Sequence, residues 1–191
     1  AHKTLIPIGQ PKQHEGGSAD RYEAPEQWSF GLSDKNHWFT THEQFTALVR
    51  AMLASARREV FIHSPTLLHG WASDESVLET LANLARAHRS TSVKILVWEV
   101  PTLLKNNAPL LELSRKLSSS IQIKEVDSTR RNFPDEFIVV DKMGLAVQQD
   151  PHQPLGWVNP KAIAREREKE RLFQSMWSHG LHNPNLRQMH I

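Results

Sequence analysis

Two hydrophobic runs of this sequence end in side chains that can move protons. Glu59-Val60-Phe61-Ile62 runs into His63-Ser64, and Ser92-Val93-Lys94-Ile95-Leu96-Val97 runs into Trp98-Glu99. A histidine within hydrogen-bonding reach of a carboxylate can serve as a general base whose ring the carboxylate orients, so His63 and Glu99 form one candidate pair. The structural alternative is a buried imidazole satisfied by an ordinary hydrogen bond. A third apolar series, Ile121, Ile123 and Val126, ends at Asp127. Further on, Glu136 and Asp141 bracket Phe137-Ile138-Val139-Val140, with Arg130-Arg131 just upstream. Alternation along a strand puts Glu136 on the apolar face of Ile138 and Val140, where a carboxylate requires a partner such as Arg130 or Arg131, or a proton. The same two arginines are candidates for holding an anion at a pocket mouth. Asp141, at a strand end before a turn, reads first as a turn cap.

Other chemistries are excluded or lack a signature. With no cysteine in 191 residues, disulfides and thiolate nucleophiles are ruled out, and a zinc site would have only imidazole and carboxylate ligands. Eleven histidines supply none of the spacings that set two ligands on one helix face. The nearest pairs, His37 with His42 and His179 with His182, flank a helix start and a helix end, so no metal and no cofactor is expected. A formal charge of +2, from 23 basic against 21 acidic residues, does not demand an anionic partner. The clusters Arg57-Arg58 and Arg86-Ala87-His88-Arg89 fall at helix ends, where cations complement the backbone dipole. Six tryptophans are too scattered for a base-stacking platform, so nucleic-acid binding is not expected.

The elements that would position these groups are legible from residue 41 onward. Thr41 with Gln44 three residues on is a capping-box signal, and Phe45, Leu48, Val49, Met52, Leu53 and Ala56 follow at helical spacing. The run into His63 is a strand closed by Pro65. Ser73 or Asp74 starts a second helix through Val77, Leu81 and Leu84, and the run into Trp98 is a second strand. A shorter helix after Pro109 and a strand from Ile121 complete a βαβαβ alternation, which calls for parallel pairing. An antiparallel hairpin with its turn at Lys142-Met143-Gly144 comes next. A last helix is capped by Asn159 with Pro160 at its first position, buries Ile163, Leu172, Phe173, Met176 and Trp177, and stops near Gly180. Its sign-alternating stretch, residues 165–171, reads as a solvated face.

The predicted fold is therefore α/β, a mixed, largely parallel sheet with helices on both faces. A pocket is expected beyond the carboxyl ends of the parallel strands, near His63-Ser64, Trp98-Glu99 and Asp127. Residues 1–40, with Pro7, Pro11, Pro25 and Gly16-Gly17-Ser18, read as an extended arm that docks by Trp28, Phe30, Trp38 and Phe39. Residues 41–182 form the domain and 183–191 a tail. No apolar run approaches the roughly 18 residues of a membrane span, and the polar first twenty residues hold no intact signal peptide, so a cytoplasmic location is expected. A start at Ala1 suggests a processed N-terminus or a domain cut from a longer chain.

The wording of several segments carries a resemblance. ALVRAMLASARREVFIHSPTLLHG looks like the opening of a phospholipase D-like half, VKILVWE is similar to the second strand of that family, and RLFQSMW resembles its closing helix. Phe133 to Asp141 falls where the family carries His-x-Lys followed four residues later by Asp. The resemblance implies a site in which one histidine attacks phosphorus, a second half supplies the acid, and the lysine steadies the phosphate. Aligned on Asp141, Pro134 stands at the histidine position and Glu136 at the lysine position, while the family's Gly-Ser-x-Asn falls on Gln148-Gln149-Asp150-Pro151. Proline has no nucleophile, and a glutamate in place of lysine repels a phosphate. With its motif so altered, the resemblance implies a non-catalytic phospholipase D-like module acting by binding or oligomerisation. Its expected partners are a second copy in a homodimer, another protein, or a fused upstream domain. Two rival readings are a phosphodiester hydrolase with a rearranged site built from His63, Glu99 and Asp141, and a C-terminal accessory domain of an acyltransferase-type protein.

Overall fold

The capping signal at residue 41 does what its chemistry dictates. Thr41 Oγ1 accepts from Gln44 N at 3.0 Å, Gln44 Oε1 accepts from Thr40 N at 2.8 Å, and the helix α1 runs His42–Ala54. The computed structural model describes residues 33–65, 67, 70–150 and 152–187, together with 22 and 24; Trp28, Phe30 and residues 188–191 lie outside the described residues. After α1 come the strand β2 (Glu59–His63), α2 (Glu75–Ala87) capped by Asp74, and β3 (Ser92–Val97). α3 (Val100–Asn106), α4 (Ala108–Lys116), β4 (Ile121–Glu125), β5 (Glu136–Val140), β6 (Gly144–Gln148), β7 (Gly156–Asn159) and α5 (Ile163–Ser178) complete the chain, with β1 (His37–Phe39) ahead of α1.

The seven strands form one sheet in the order β1-β7-β6-β5-β2-β3-β4. This is the expected mixed α/β sheet with helices on both faces, but the balance of pairing is corrected. Only β2-β3 and β3-β4 are parallel, and the other four pairings among the described residues are antiparallel. The difference comes from two strands that the periodicity did not disclose. β1 belongs to the stretch read as an arm, where Trp38 and Phe39 dock as expected but do so as an edge strand on β7. β7 contains Asn159, read as a helix cap; its Oδ1 instead accepts from Lys161 N at 2.8 Å in a turn, and α5 begins four residues later with no side-chain cap.

Helices α1 to α4 cover one face over Phe45, Leu48, Met52, Val60, Ile62, Trp71, Ile95, Ile138 and Val140. Helix α5 alone covers the other, where Phe173 stacks on Phe61 at 5.0 Å and Trp177 lies beside Phe173. Two expectations about α5 fail. Ile163 is 44% exposed, and Glu166, within the stretch expected to be solvated, is buried. The hairpin turn sits one residue earlier than expected: Asp141 and Lys142 take φ of 52° and 62°, and Met143 N donates to Val140 O at 3.0 Å. Two consecutive left-handed residues match the right-handed twist of the flanking strands, and aspartate tolerates that region better than most side chains. The single helix expected after Pro109 is preceded by α3, the two meeting at buried Asn107. Among the described residues no helix is long and apolar enough to cross a membrane.

Candidate functional site

Antiparallel pairing of β2 with β5 sets His63 opposite Phe137, so the carboxyl end of β2 and the start of β5 meet at one corner of the sheet. His63, Ser64 and Glu136 are thereby brought to one corner in backbone. Their side chains divide between the two faces, Ser64 with Glu136 on one and His63 on the other, because neighbours along a strand point to opposite faces. Glu136 lies with Ile138 and Val140 under α1 to α4, whereas the His63 ring stacks on Phe137 at 5.1 Å, on the side of α5.

On the helical-layer side, Glu136 is fully buried. Ser64 Oγ donates a short hydrogen bond to its Oε2, and Gln148 Nε2 donates to its Oε1 at 3.2 Å. The expected partners Arg130 and Arg131 are not involved: Arg131 Nε donates to Val126 O at 3.0 Å and its Nη2 reaches Glu125 at 3.4 Å. Burial pushes the Glu136 carboxyl up to about 7, against the Ser64 hydroxyl and the Trp71 indole, which favour the charged form. Ser64 Oγ also accepts from Leu67 N at 3.1 Å. Leu67 is buried with φ of 50°, and its carbonyl accepts from the Asn107 amide. A leucine held left-handed costs on the order of 1–2 kcal/mol, so this roof over Ser64 and Glu136 is fixed by its surroundings rather than by its own preference. Ser64, Glu136, Gln148 and Asn107 are all buried.

On the α5 side, His63 is also buried, with Nδ1 donating to Asp135 O at 2.8 Å and Nε2 accepting from Trp98 Nε1 at 3.0 Å. An indole nitrogen can only donate, which fixes the neutral tautomer with the proton on Nδ1. Burial holds the ring down at about 4, outweighing the Asp135 carbonyl that favours the cation. With both nitrogens engaged, His63 has no free position for base catalysis. The expected His63–Glu99 pair is corrected: Glu99 is exposed at the start of α3 and accepts from Thr102 Oγ1 at 3.3 Å. Lys169 ties α5 to the loop before β5 through Asp135 at 2.6 Å.

The remaining candidates have structural places. Asp127 accepts from Thr129 N at 3.1 Å and caps the turn Ser128–Arg130. Asp141 is at the opposite end of the sheet, where its carboxylate accepts from the backbone N–H groups of Arg57, Arg58 and Glu59 at 2.8, 2.9 and 2.8 Å. It clips the loop after α1 to the hairpin turn. Residues that sequence reasoning missed are Trp71, Leu67, Asn107 and above all Gln148. A signal for Gln148 existed, since a three-residue turn at 141–143 puts 136 opposite 148. Among the described residues no group of three or more histidine, aspartate and glutamate side chains is placed to hold a metal ion.

A second titratable cluster stands where α5 crosses the hairpin. Burial, reinforced by Glu170, pushes the Glu166 carboxyl up to about 8, while Lys142 bonds Glu170 at 3.0 Å and reaches Glu59 at 3.9 Å. The cluster seats the helix on the turn.

The fold has solved counterparts. TrmBL2, an archaeal chromatin protein described as showing a novel mode of DNA binding, is similar over 83% of this chain with a TM-score of 0.57 and 13% identity. The phosphatidylserine synthase of Haemophilus influenzae Rd KW20 is similar over 76%, with a TM-score of 0.51 and 10% identity. The chain spans 57% and 40% of the lengths of those two proteins, and at such identities the likeness is one of fold. No curated protein matches the sequence at a significant level. A model of the domain of unknown function DUF7931 matches residues 41–189, and the chain belongs to that family.

Proposed function

We propose that this chain is a non-catalytic phospholipase D-like module that works by binding, to a second copy of itself or to another molecule. The observation that carries the reading is Glu136. At the position where the resemblance calls for a phosphate-holding lysine, the chain has a carboxyl side chain with no exposed surface, bonded to Ser64 and Gln148. Pro134, at the histidine position, is exposed and has no group that could attack phosphorus. The fold likeness to a phosphatidylserine synthase supports the phospholipase D-like part of the reading. A hydrolase rearranged around His63, Glu99 and Asp141 finds no support, because those three groups point to different places and each already has its partners.

Incubation with bis-(p-nitrophenyl) phosphate, phospholipid vesicles and DNA should give no turnover above the rate without protein. Turnover that disappears in the His63→Ala protein would overturn the reading. Light scattering at micromolar concentration distinguishes the two modes of binding: self-association gives a mass near twice 21.9 kDa, and action on another molecule leaves 21.9 kDa.

A further inference from the structure

Two basic clusters that lie about thirty residues apart in the chain, each accounted for in sequence by its own helix end, become one surface in the fold. Because β2 and β3 are parallel neighbours, the loops that precede them run side by side, and Ser92 N donates to Arg58 O at 2.9 Å. Arg57, Arg58 and His88 line one open groove of about 600 Å³, with Thr80, Asn83 and Ser90 as its neutral polar groups. Arg86 and Arg89 flank His88 in the chain and are exposed. No acidic residue lines the groove, and among the described residues none of the four arginines has an ion-pair partner.

Three things oppose the positive charge. The last turns of α1 and α2 end here, each worth about half a negative charge, and the Asp141 carboxylate sits behind the backbone of Arg57 and Arg58. Two guanidinium charges lining the groove and two exposed beside it in the chain, against roughly two negative ones, leave a net excess of about +2 over this surface as a whole. The floor is made of Ala54, Ala56 and Ala87, with Leu53 and Leu84 buried beneath. Small residues let a backbone approach closely, and they offer no deep apolar hole for the anchor side chains by which peptides are recognised. No Phe, Tyr or Trp side chain lines the groove as a stacking platform for bases.

We propose that this groove binds the phosphodiester backbone of nucleic acid without reading sequence, Arg57, Arg58, Arg86 and Arg89 contacting phosphates. The site is at the end of the sheet opposite Ser64 and Glu136, so the proposal does not rest on whether that closed corner is inert. The full chain is titrated into two fluorescein-labelled duplexes of about 20 base pairs and unrelated sequence, followed by anisotropy. Equal affinity for both is expected, weakening about 40-fold between 50 and 200 mM salt if about three phosphates are contacted, at a log–log slope of about −0.9 per phosphate. Arg57→Gln/Arg58→Gln and Arg86→Gln/Arg89→Gln should each weaken binding at least about tenfold and flatten the salt slope. Arg167→Gln/Arg171→Gln, an equal loss of exposed charge on α5, should leave both unchanged. Unchanged urea midpoints establish that the variants are folded. Absence of binding overturns the proposal, as does wild-type affinity in both groove variants or an equal loss in the α5 variant. Displacement of the duplex by polyglutamate at equal charge concentration also overturns it, in favour of an acidic protein surface.

Discussion

Glu136 and His63 sit on opposite faces of one corner, and burial drives both to the neutral state from opposite directions. Their effects on stability therefore have opposite signs. Glu136 holds its proton to about 7 when folded but only to 4.5 when unfolded, so its contribution is fully present below pH 4.5 and is lost as pH rises through 7. His63 titrates near 4 when folded and 6.5 when unfolded, so its contribution is present above pH 6.5 and is lost as pH falls through 4. The two slopes oppose each other between pH 4.5 and 6.5, so the contributions of this pair nearly cancel there. Glu136→Gln removes one of them. Relative to wild type, this variant should gain stability as pH rises from 4.5 through 7, by roughly 3 kcal/mol in all. Urea midpoints of both proteins at about pH 4.5, 6 and 8 measure it, and a difference that does not change with pH would mean that the carboxyl is not desolvated in the folded protein. The burial of Glu136 was legible from its alternation with Ile138 and Val140. Its partners were not, because nearness in the chain pointed to Arg130 and Arg131, whereas Ser64 is 72 residues away and is delivered by β2.

At the scale of elements, what the sequence disclosed and what it hid divide along a physical line. Elements whose side chains repeat with a clear period, α1, α2, β2 and β3, were read with their caps and strand ends. β1 and β7 escaped because each is short, and because the chemistry around β7 imitates something else: Asn159-Pro160 has the form of a helix start, and Gly156 has the form of a loop. In the sheet that glycine is a packing requirement. A Cβ on Gly156 would lie 2.0 Å from the Val147 carbonyl oxygen and 2.8 Å from the Phe39 ring, and neither the β6 backbone nor a fully buried ring can yield cheaply. Gly156→Ala should destabilise the protein by about 2 kcal/mol or more. Thermal melting checks this: a midpoint equal to wild type would mean that β7 and β1 are detached from the folded sheet in solution. The same two strands turn the sheet from the largely parallel one expected into a mostly antiparallel one.

Across the whole molecule, the two ends of the sheet have different characters. The corner of Ser64 and Glu136 is closed, while the opposite end carries the open basic groove and the Asp141 clip. That division could not be read from the chain, since the arginine pairs, each ordinary alone, acquire a common surface only through β2-β3 pairing. The clip has a consequence in time as well as in space. It joins Asp141 to backbone groups 82 to 84 residues earlier, so it closes a long loop and can form only once the hairpin and the α1–β2 segment have each found their places. An interaction made after the folding transition state slows unfolding without speeding folding. Asp141→Asn keeps a residue that tolerates the left-handed turn but replaces the carboxylate, at a cost of about 1.5 kcal/mol. In stopped-flow measurements it should unfold about tenfold faster while folding at the wild-type rate. A slowed folding arm would instead put the clip in the nucleus. The faster unfolding would tie the lifetime of the folded chain to a single turn residue, Asp141.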